Sequence, residues 1–200
     1  MARIAFVLGN DFEDSEFDTP RTTLLEHDLA VDVIGVDADD VTGKHGTTVS
    51  IDKTIDDVSA GDYDALVIPG GFSPDHLRTD DRIVGFVKAI ADQDKIIAAI
   101  CHAPSLLIEA GLVDGRTMTA WPSIRTDLRN AGADVVDREV VVDGKMITSR
   151  NPDDLPAFTD TILVALGELD PGDARGGADA SGDGRLTGED VLEAENSFTA

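Results

Sequence analysis

The chain holds a single cysteine, Cys101, and a histidine follows it directly, inside "KIIAAICHAPSLLIEAG" (95–111). A mostly apolar run leads into the pair and a helical pattern leaves it. A thiol on a tight strand-to-helix turn is pushed out of the top of a sheet. The next backbone N–H can point at an oxyanion, and the start of the helix favours a thiolate. Taken alone, the same residue reads equally as an inert core cysteine. Two other stretches weigh against that. "NDFEDSEFDTP" (10–20) places Glu13 and Glu16 three residues apart, a spacing that puts both on one helix face. "IPGGFSPDHLR" (68–78) places Gly70 and Gly71 where backbone can approach a ligand closely. Read blandly, the first is helix capping and the second a strand-ending turn. Together, a thiol, carboxyls and free backbone N–H groups suit nucleophilic attack on a carbonyl with proton transfer.

These residues need elements to hold them. "RIAFVL" (3–8), "AVDVIGV" (30–36), "YDALVIPGG" (63–71) and "KIIAAI" (95–100) read as strands, several continuously apolar. "EDSEFDTPRTTLLEHD", "DDRIVGFVKAIADQ" (80–93), "APSLLIEAG", "PSIRTDLRNAG" (122–132) and "PDDLPAFTDTILVALGEL" (152–169) read as helices. "GKHGTTVSID" (43–52) alternates like a small hairpin, "RTMTAW" (116–121) reads as a short strand, and "REVVVDGKMITSR" (138–150) as a hairpin turning at Asp143-Gly144. Strands alternating with helices predict an α/β fold, an open and mostly parallel sheet sandwiched by helices. Sites in such sheets lie beyond the carboxyl ends of the strands. Gly9-Asn10, Gly70-Gly71 and Cys101 each follow a strand, so they are expected to converge on one edge.

Two hundred residues suit one domain with an appendage. Forty acidic against sixteen basic residues give a net charge of −24. Such a surface repels nucleic acid and anionic membranes. The acids are spread along the chain and lysines are few, a pattern that fits adaptation to molar salt, where charge repulsion is screened, better than an acidic partner-binding face. No run approaches the ~18 apolar residues of a membrane helix, no secretory signal is read at the start, and one cysteine excludes an internal disulfide framework. A cytoplasmic protein is expected.

In order along the chain, "FEDSEF", "TGKHG", "YDALVIPGG", "SPDHLR", "ICHAPSLLIEAG", "IRTDLRNAGA", "EVVVDGKMITSR" and "PDDLPAF" resemble the ThiJ/PfpI superfamily, which includes the Parkinson-disease deglycase, and within it the PfpI branch of intracellular proteases and stress-protein deglycases. The likeness runs from about Ala2 to Gly167. It implies a flavodoxin-like fold, related to class I glutamine amidotransferases, with a cysteine nucleophile elbow. It implies Cys101 as nucleophile, His102 as its base, and Glu16 as a buried, protonated glutamate against the thiol. Glu13 matches a second family acid, structural or in the site. The backbone N–H groups of Gly71 and His102 match the oxyanion hole. Asp75 falls where the proteases carry a glutamate that completes a triad from a neighbouring subunit, but it is one methylene shorter. Trp121 replaces a tyrosine of some relatives, and Lys44 matches a lysine near the site. A dimer is implied at least, and a hexamer fits the branch.

Three functions follow from that resemblance. The first is a cofactor-independent cysteine enzyme on reactive carbonyls, of glyoxalase III or deglycase type, acting on a small carbonyl or on a glycated protein or peptide. The second is an intracellular cysteine peptidase with an intersubunit triad. The third is a non-enzymatic redox sensor or chaperone that uses Cys101 oxidation. No metal or organic cofactor is required for any of them. A glutamine amidotransferase needs a histidine well downstream of the nucleophile, and the histidines are His27, His45, His76 and His102. His27 reads as a helix end. His45 and His76 read as loop residues near the site edge, either of which could line a pocket, without metal-ligand spacing.

From Glu168 the composition turns Gly/Asp-rich, so 168–200 is expected to be an acidic tail that begins without structure of its own. Within it, "DASGDGRLTGED" (179–190) is similar to an EF-hand or dockerin-type calcium loop, with Asp179, Ser181, Asp183, Arg185 (by its carbonyl), Thr187 and Asp190 at the ligand positions. A solvated acidic tail accounts for the same residues.

Overall fold

The computed structural model describes residues 1–175. In chain order the elements are β1 (Arg3–Val7), α1 (Asp14–Glu26), β2 (Ala30–Gly35), β3 (Val41–Thr42), β4 (Thr48–Val49), β5 (Lys53–Thr54), β6 (Ala65–Ile68), α2 (Ser73–Leu77), α3 (Asp81–Asp92), β7 (Ile96–Ile100), α4 (Pro104–Glu109), β8 (Thr117–Met118), α5 (Arg125–Asn130), β9 (Asp134–Val135), β10 (Val140–Asp143), β11 (Met146–Ser149) and α6 (Leu155–Leu166). Seven strands form one sheet in the order β10-β11-β7-β6-β1-β2-β5. All of its pairings are parallel except that of β10 with β11, the expected hairpin.

Apolar residues on both faces of β1, β6 and β7 explain why helices must cover both. Side chains alternate between two core layers. Ala5, Val7, Leu66, Ile68, Ile97 and Ala99 face one layer with α3, α4 and α5. Ile4, Phe6, Ala65, Val67, Ala98 and Ile100 face the other with α1 and α6. Helix α3 shows the logic locally: Ile83, Val84, Val87 and Ile90 are buried on one stripe, and Asp80 caps its start by accepting from the Arg82 N–H.

The structure departs from the sequence reading in four places. The "RTMTAW" strand shrinks to β8, which pairs with β9 in a separate two-stranded sheet. His76 lies inside α2, not in a loop. Glu13 precedes α1 in extended backbone, so it does not share a helix face with Glu16. The chain beyond Gly167 does not begin unstructured. Leu169 packs on the core, and Arg175 pairs with the buried Asp160 through its guanidinium at 2.8 Å and its backbone N–H at 2.6 Å. The calcium-type loop at 179–190 lies outside the described residues.

Candidate active site

Strand β7 ends at Ile100, and Cys101 turns the chain with φ +63°. A non-glycine residue in that left-handed region costs about 1–2 kcal/mol. Two backbone bonds hold the turn: Cys101 N–H donates to the Ser149 carbonyl, and Trp121 N–H donates to the Cys101 carbonyl, each at 3.0 Å. The elbow read from the sequence is therefore present, and the thiol sits 7% exposed at the carboxyl edge of the sheet.

Glu16, fully buried, reaches the thiol from α1. Its Oε2 accepts from the Gly70 N–H at 2.8 Å, its Oε1 is buried without a hydrogen-bond partner, and the carboxyl as a whole interacts with the Cys101 thiol. Gly70 makes this meeting possible. A Cβ there would lie 2.6 Å from Glu16 Oε2 and 2.7 Å from Cys101 Cβ. Burial drives the Glu16 carboxyl up to about 7, with the nearby Glu13 charge adding to the rise, and the Gly70 N–H, the Cys101 thiol and Lys44 opposing it.

The same burial, together with the Glu16 charge, holds the Cys101 thiol well above its ordinary range, and the backbone N–H groups of Gly71 and His102 pull it back down. The elbow was expected to favour a thiolate. In the resting site desolvation outweighs it, and a protonated Glu16 removes the opposing charge. Gly71, at φ +74°, is fixed against the 11–13 segment by a bridge to Phe12, so its N–H stays beside the sulfur.

His102 offers Nδ1 to Cys101 Sγ at 3.3 Å. Its Nε2 lies 3.1 Å from Ser123 Oγ, and its ring stacks with Phe72 (centroids 6.4 Å apart) and lies tilted beside Trp121 (6.1 Å). Burial and then the Lys44 charge lower its pKa, while Asp75 opposes them.

The sequence of the chain matches a known family. The DJ-1/PfpI family profile aligns with residues 2–165. The chain belongs to the DJ-1/PfpI family. It is 52% identical over 168 residues to General stress protein 18 of Bacillus subtilis, covering 82% of this chain and 97% of that one. It is 50% identical over 165 residues to the Bacillus subtilis protein named "Putative cysteine protease YraA", covering 82% and 98%. Among solved structures, a two-domain protein from Anabaena variabilis with DJ-1/ThiJ/PfpI-like and ferritin-like domains superposes with a TM-score of 0.84 at 34% identity. That match covers 99% of this chain and 55% of the larger one. Drosophila melanogaster DJ-1beta, at 24% identity and a TM-score of 0.79, has the same fold, in a match that covers 100% of this chain and 98% of that one.

Against this DJ-1/PfpI frame the remaining sequence-chosen residues divide. Glu13 gathers Lys44 (Nζ at 3.1 Å) and His45 (Nε2 at 3.2 Å), and the Lys44 charge reaches Cys101, Glu16 and His102. Asp75, on α2, stands exposed near Arg78, and within the chain it acts on His102 only through its charge. His76 pairs with Asp11 at 3.3 Å and lines a separate cavity of about 430 Å³ with Leu8, Asp37, Val41 and Leu77; Cys101, Glu16 and His102 are not among its walls. His27 closes α1, as read.

Three residues around the site, Ser123, Phe72 and Asp14, escape the sequence reading, and a fourth, Gly70, is read only in part. Ser123 and Phe72 touch His102 without any local pattern that marks them. Gly70 was noted for its freedom, but its tight contact with two side chains needs the tertiary fold. Asp14, buried, accepts from the His45 and Thr47 N–H groups and so ties the β3–β4 hairpin to α1. Burial alone would raise its carboxyl, but the bonds from Thr47 and His45 hold it below the usual range.

Proposed function

We propose that this DJ-1/PfpI protein is a cofactor-independent cysteine enzyme acting on reactive carbonyls, either a 2-oxoaldehyde such as methylglyoxal or an early glycation adduct. The observation that carries the reading is the buried Glu16 against Cys101, with its carboxyl balanced near neutrality. A group that titrates about 7 can both take and return a proton at working pH. Cys101 Sγ adds to the aldehyde carbon while the thiol proton passes, through His102 or Glu16, to the carbonyl oxygen, which gives a hemithioacetal. The Gly71 and His102 N–H groups face the developing oxyanion. Removal of the hemithioacetal C–H proton by His102 or Glu16, and its return to the neighbouring carbon, converts the adduct to a thioester. Water then releases lactate and regenerates the thiol. The sequence consumes one water per methylglyoxal and needs no oxidant. From an aminocarbinol on a glycated side chain, Sγ would replace the amine at the same carbon: the C–S bond forms as the C–N bond breaks, the amine leaves with the thiol proton, and the same hemithioacetal results.

A peptidase is the second reading, supported by the Sγ–Nδ1 contact of 3.3 Å and by the protease name of a 50% identical relative. The low His102 pKa weighs against it, because an amide needs a stronger base and a protonated leaving group. Asp75 from a second copy would have to supply the missing charge.

The test is lactate production from methylglyoxal without glutathione, in molar KCl, for the wild type and Cys101→Ala. Turnover that disappears in the variant is the expected result. A folded wild type that shows none overturns the carbonyl reading and moves the weight to peptide substrates.

A further inference from the structure

His102 must be oriented to serve Cys101, and the described chain shows what does so. Nδ1 faces the sulfur at 3.3 Å and Nε2 faces the Ser123 hydroxyl at 3.1 Å. We propose that Ser123 is the positioning residue of an intrachain Cys101–His102–Ser123 relay, fixing the imidazole in the tautomer whose free Nδ1 lone pair meets the thiol.

Proton accounting supports the assignment. With a neutral thiol, S–H donates to Nδ1, so Nε2 carries the ring proton and donates to Ser123 Oγ. After transfer, Nδ1–H donates to the thiolate and Nε2–H still donates to Ser123 Oγ. The hydroxyl accepts in both states, so it keeps its bond through the transfer. Among the described residues of the chain, no other group is shown in hydrogen-bond contact with His102 Nε2. The charged groups on the surrounding elements are Glu16 and Glu13 at the start of α1, Lys44 and His45 on the β3–β4 hairpin, Asp75 and Arg78 on α2, and Arg125 after the Ser123 turn. Only Lys44 and Asp75 act on the imidazole, and they act by charge, in opposite directions. Phe72 and Trp121 restrain the ring faces but leave its rotation about the Cβ–Cγ bond unspecified. The Ser123 segment is itself fixed, since Arg125 Nε donates to the Ala120 carbonyl at 2.9 Å and its guanidinium pairs with Asp137 at 2.9 Å.

A neutral third member has a consequence. A carboxylate there would stabilise the imidazolium and raise the pKa of His102, whereas a hydroxyl orients without doing so. That suits attack on an already electrophilic carbonyl. The relay rests on the roles given above to Cys101 and His102, but not on the substrate.

Two readouts on the full chain test it: the ring 15N shifts of His102, and the pH dependence of Cys101 alkylation by iodoacetamide, which is unambiguous because the chain has one cysteine. The wild type is expected in the Nε2–H tautomer. Ser123→Ala is expected to give a tautomer mixture and to slow alkylation about 3- to 10-fold, the loss of roughly one net hydrogen bond. Ser123→Thr should restore both. Ser123→Asp should move the His102 midpoint upward. Ser123 is exposed, so these variants are expected to fold. A Ser123→Ala protein with an unchanged tautomer or an unchanged alkylation profile overturns the relay. Methylglyoxal turnover enters neither readout, so a failed substrate assay leaves the tautomer result standing.

Discussion

Two buried carboxylates show how differently one fold can treat the same chemical group. Asp160 on α6 is 3% exposed, yet Arg175 gives it two guanidinium bonds and a backbone N–H. Despite burial, those bonds and the Arg175 charge hold its carboxyl below the usual range. Glu16 on α1 is more deeply buried and receives one backbone N–H and no direct cation. Its carboxyl rises to about 7. A fold that needed only stability would neutralise Glu16 as it does Asp160, because an under-partnered buried acid works against folding. The unmet demand at Glu16 lies where the single thiol lies, and that coincidence marks the site.

The largest break in this contrast is Glu16→Gln, which keeps the shape and the acceptor for the Gly70 N–H but cannot exchange a proton. Carbonyl turnover is expected to fall about 100- to 10,000-fold. Iodoacetamide should meanwhile alkylate Cys101 faster above neutral pH, because the charge that opposes the thiolate is gone. Parallel loss of both rates would refute the proton-transfer role. The pH dependence of stability carries the same signature. Glu16 binds its proton more tightly folded than unfolded, so its contribution is full below about 4.5 and is lost as pH rises through about 7. The loss is on the order of 3 kcal/mol. Denaturant melts should show this fall between those pH values in the wild type and not in Glu16→Gln.

A second break attacks the geometry and leaves the charges in place. Gly70→Ala would put a methyl 2.6 Å from Glu16 Oε2, 2.7 Å from Cys101 Cβ and 2.9 Å from the Ile100 carbonyl. Glu16 and the thiol must then separate. A stability loss of about 1–3 kcal/mol is expected by denaturant melting, with carbonyl turnover falling at least tenfold. Gly61→Ala is the control, since its new methyl would meet only Ser59 Oγ at 3.7 Å. Full turnover in Gly70→Ala would show that the Glu16–Cys101 contact is dispensable.

Asp160 and Glu16 also divide what the sequence could tell. Chain-local signals gave the sheet, because continuous apolar runs such as "IIAAI" and "ALVI" have few other uses, and they gave the elbow at Cys101. The hairpin turn at Gly144 and the helix stripe of α3 were legible for the same reason. Contacts that depend on where distant elements cross were not. Ser123 meets His102 across 21 positions, and Gly70 meets Glu16 across 54. Glu13 and Glu16 looked equivalent by spacing. The fold separates them because α1 starts after Glu13, which turns one carboxylate to Lys44 and the other to the thiol. Arg175 sat in a stretch that composition marked as unstructured, and only its bond to a buried acid explains its place.

The smallest expected effect comes from the well-satisfied member of the pair. Arg175→Ala strips Asp160 of its cation and leaves a buried carboxylate with its backbone donor alone. The guanidinium itself is largely exposed, so solvent screens the pair and the loss is expected at about 1 kcal/mol. The sign with pH is opposite to that of Glu16. The Asp160 carboxyl is depressed in the folded state, so its contribution is present above the ordinary aspartate range, near 3.8, and is lost as pH falls through its lower folded value. Melts taken from pH 7 to below the ordinary aspartate range should therefore show the wild type and Arg175→Ala converging as acid protonates Asp160 in both. Carbonyl turnover should stay within about twofold of wild type. A tenfold loss of turnover in Arg175→Ala would mean that the two carboxylates are coupled through α1 and α6, and that the division between a stabilising acid and a working one is false.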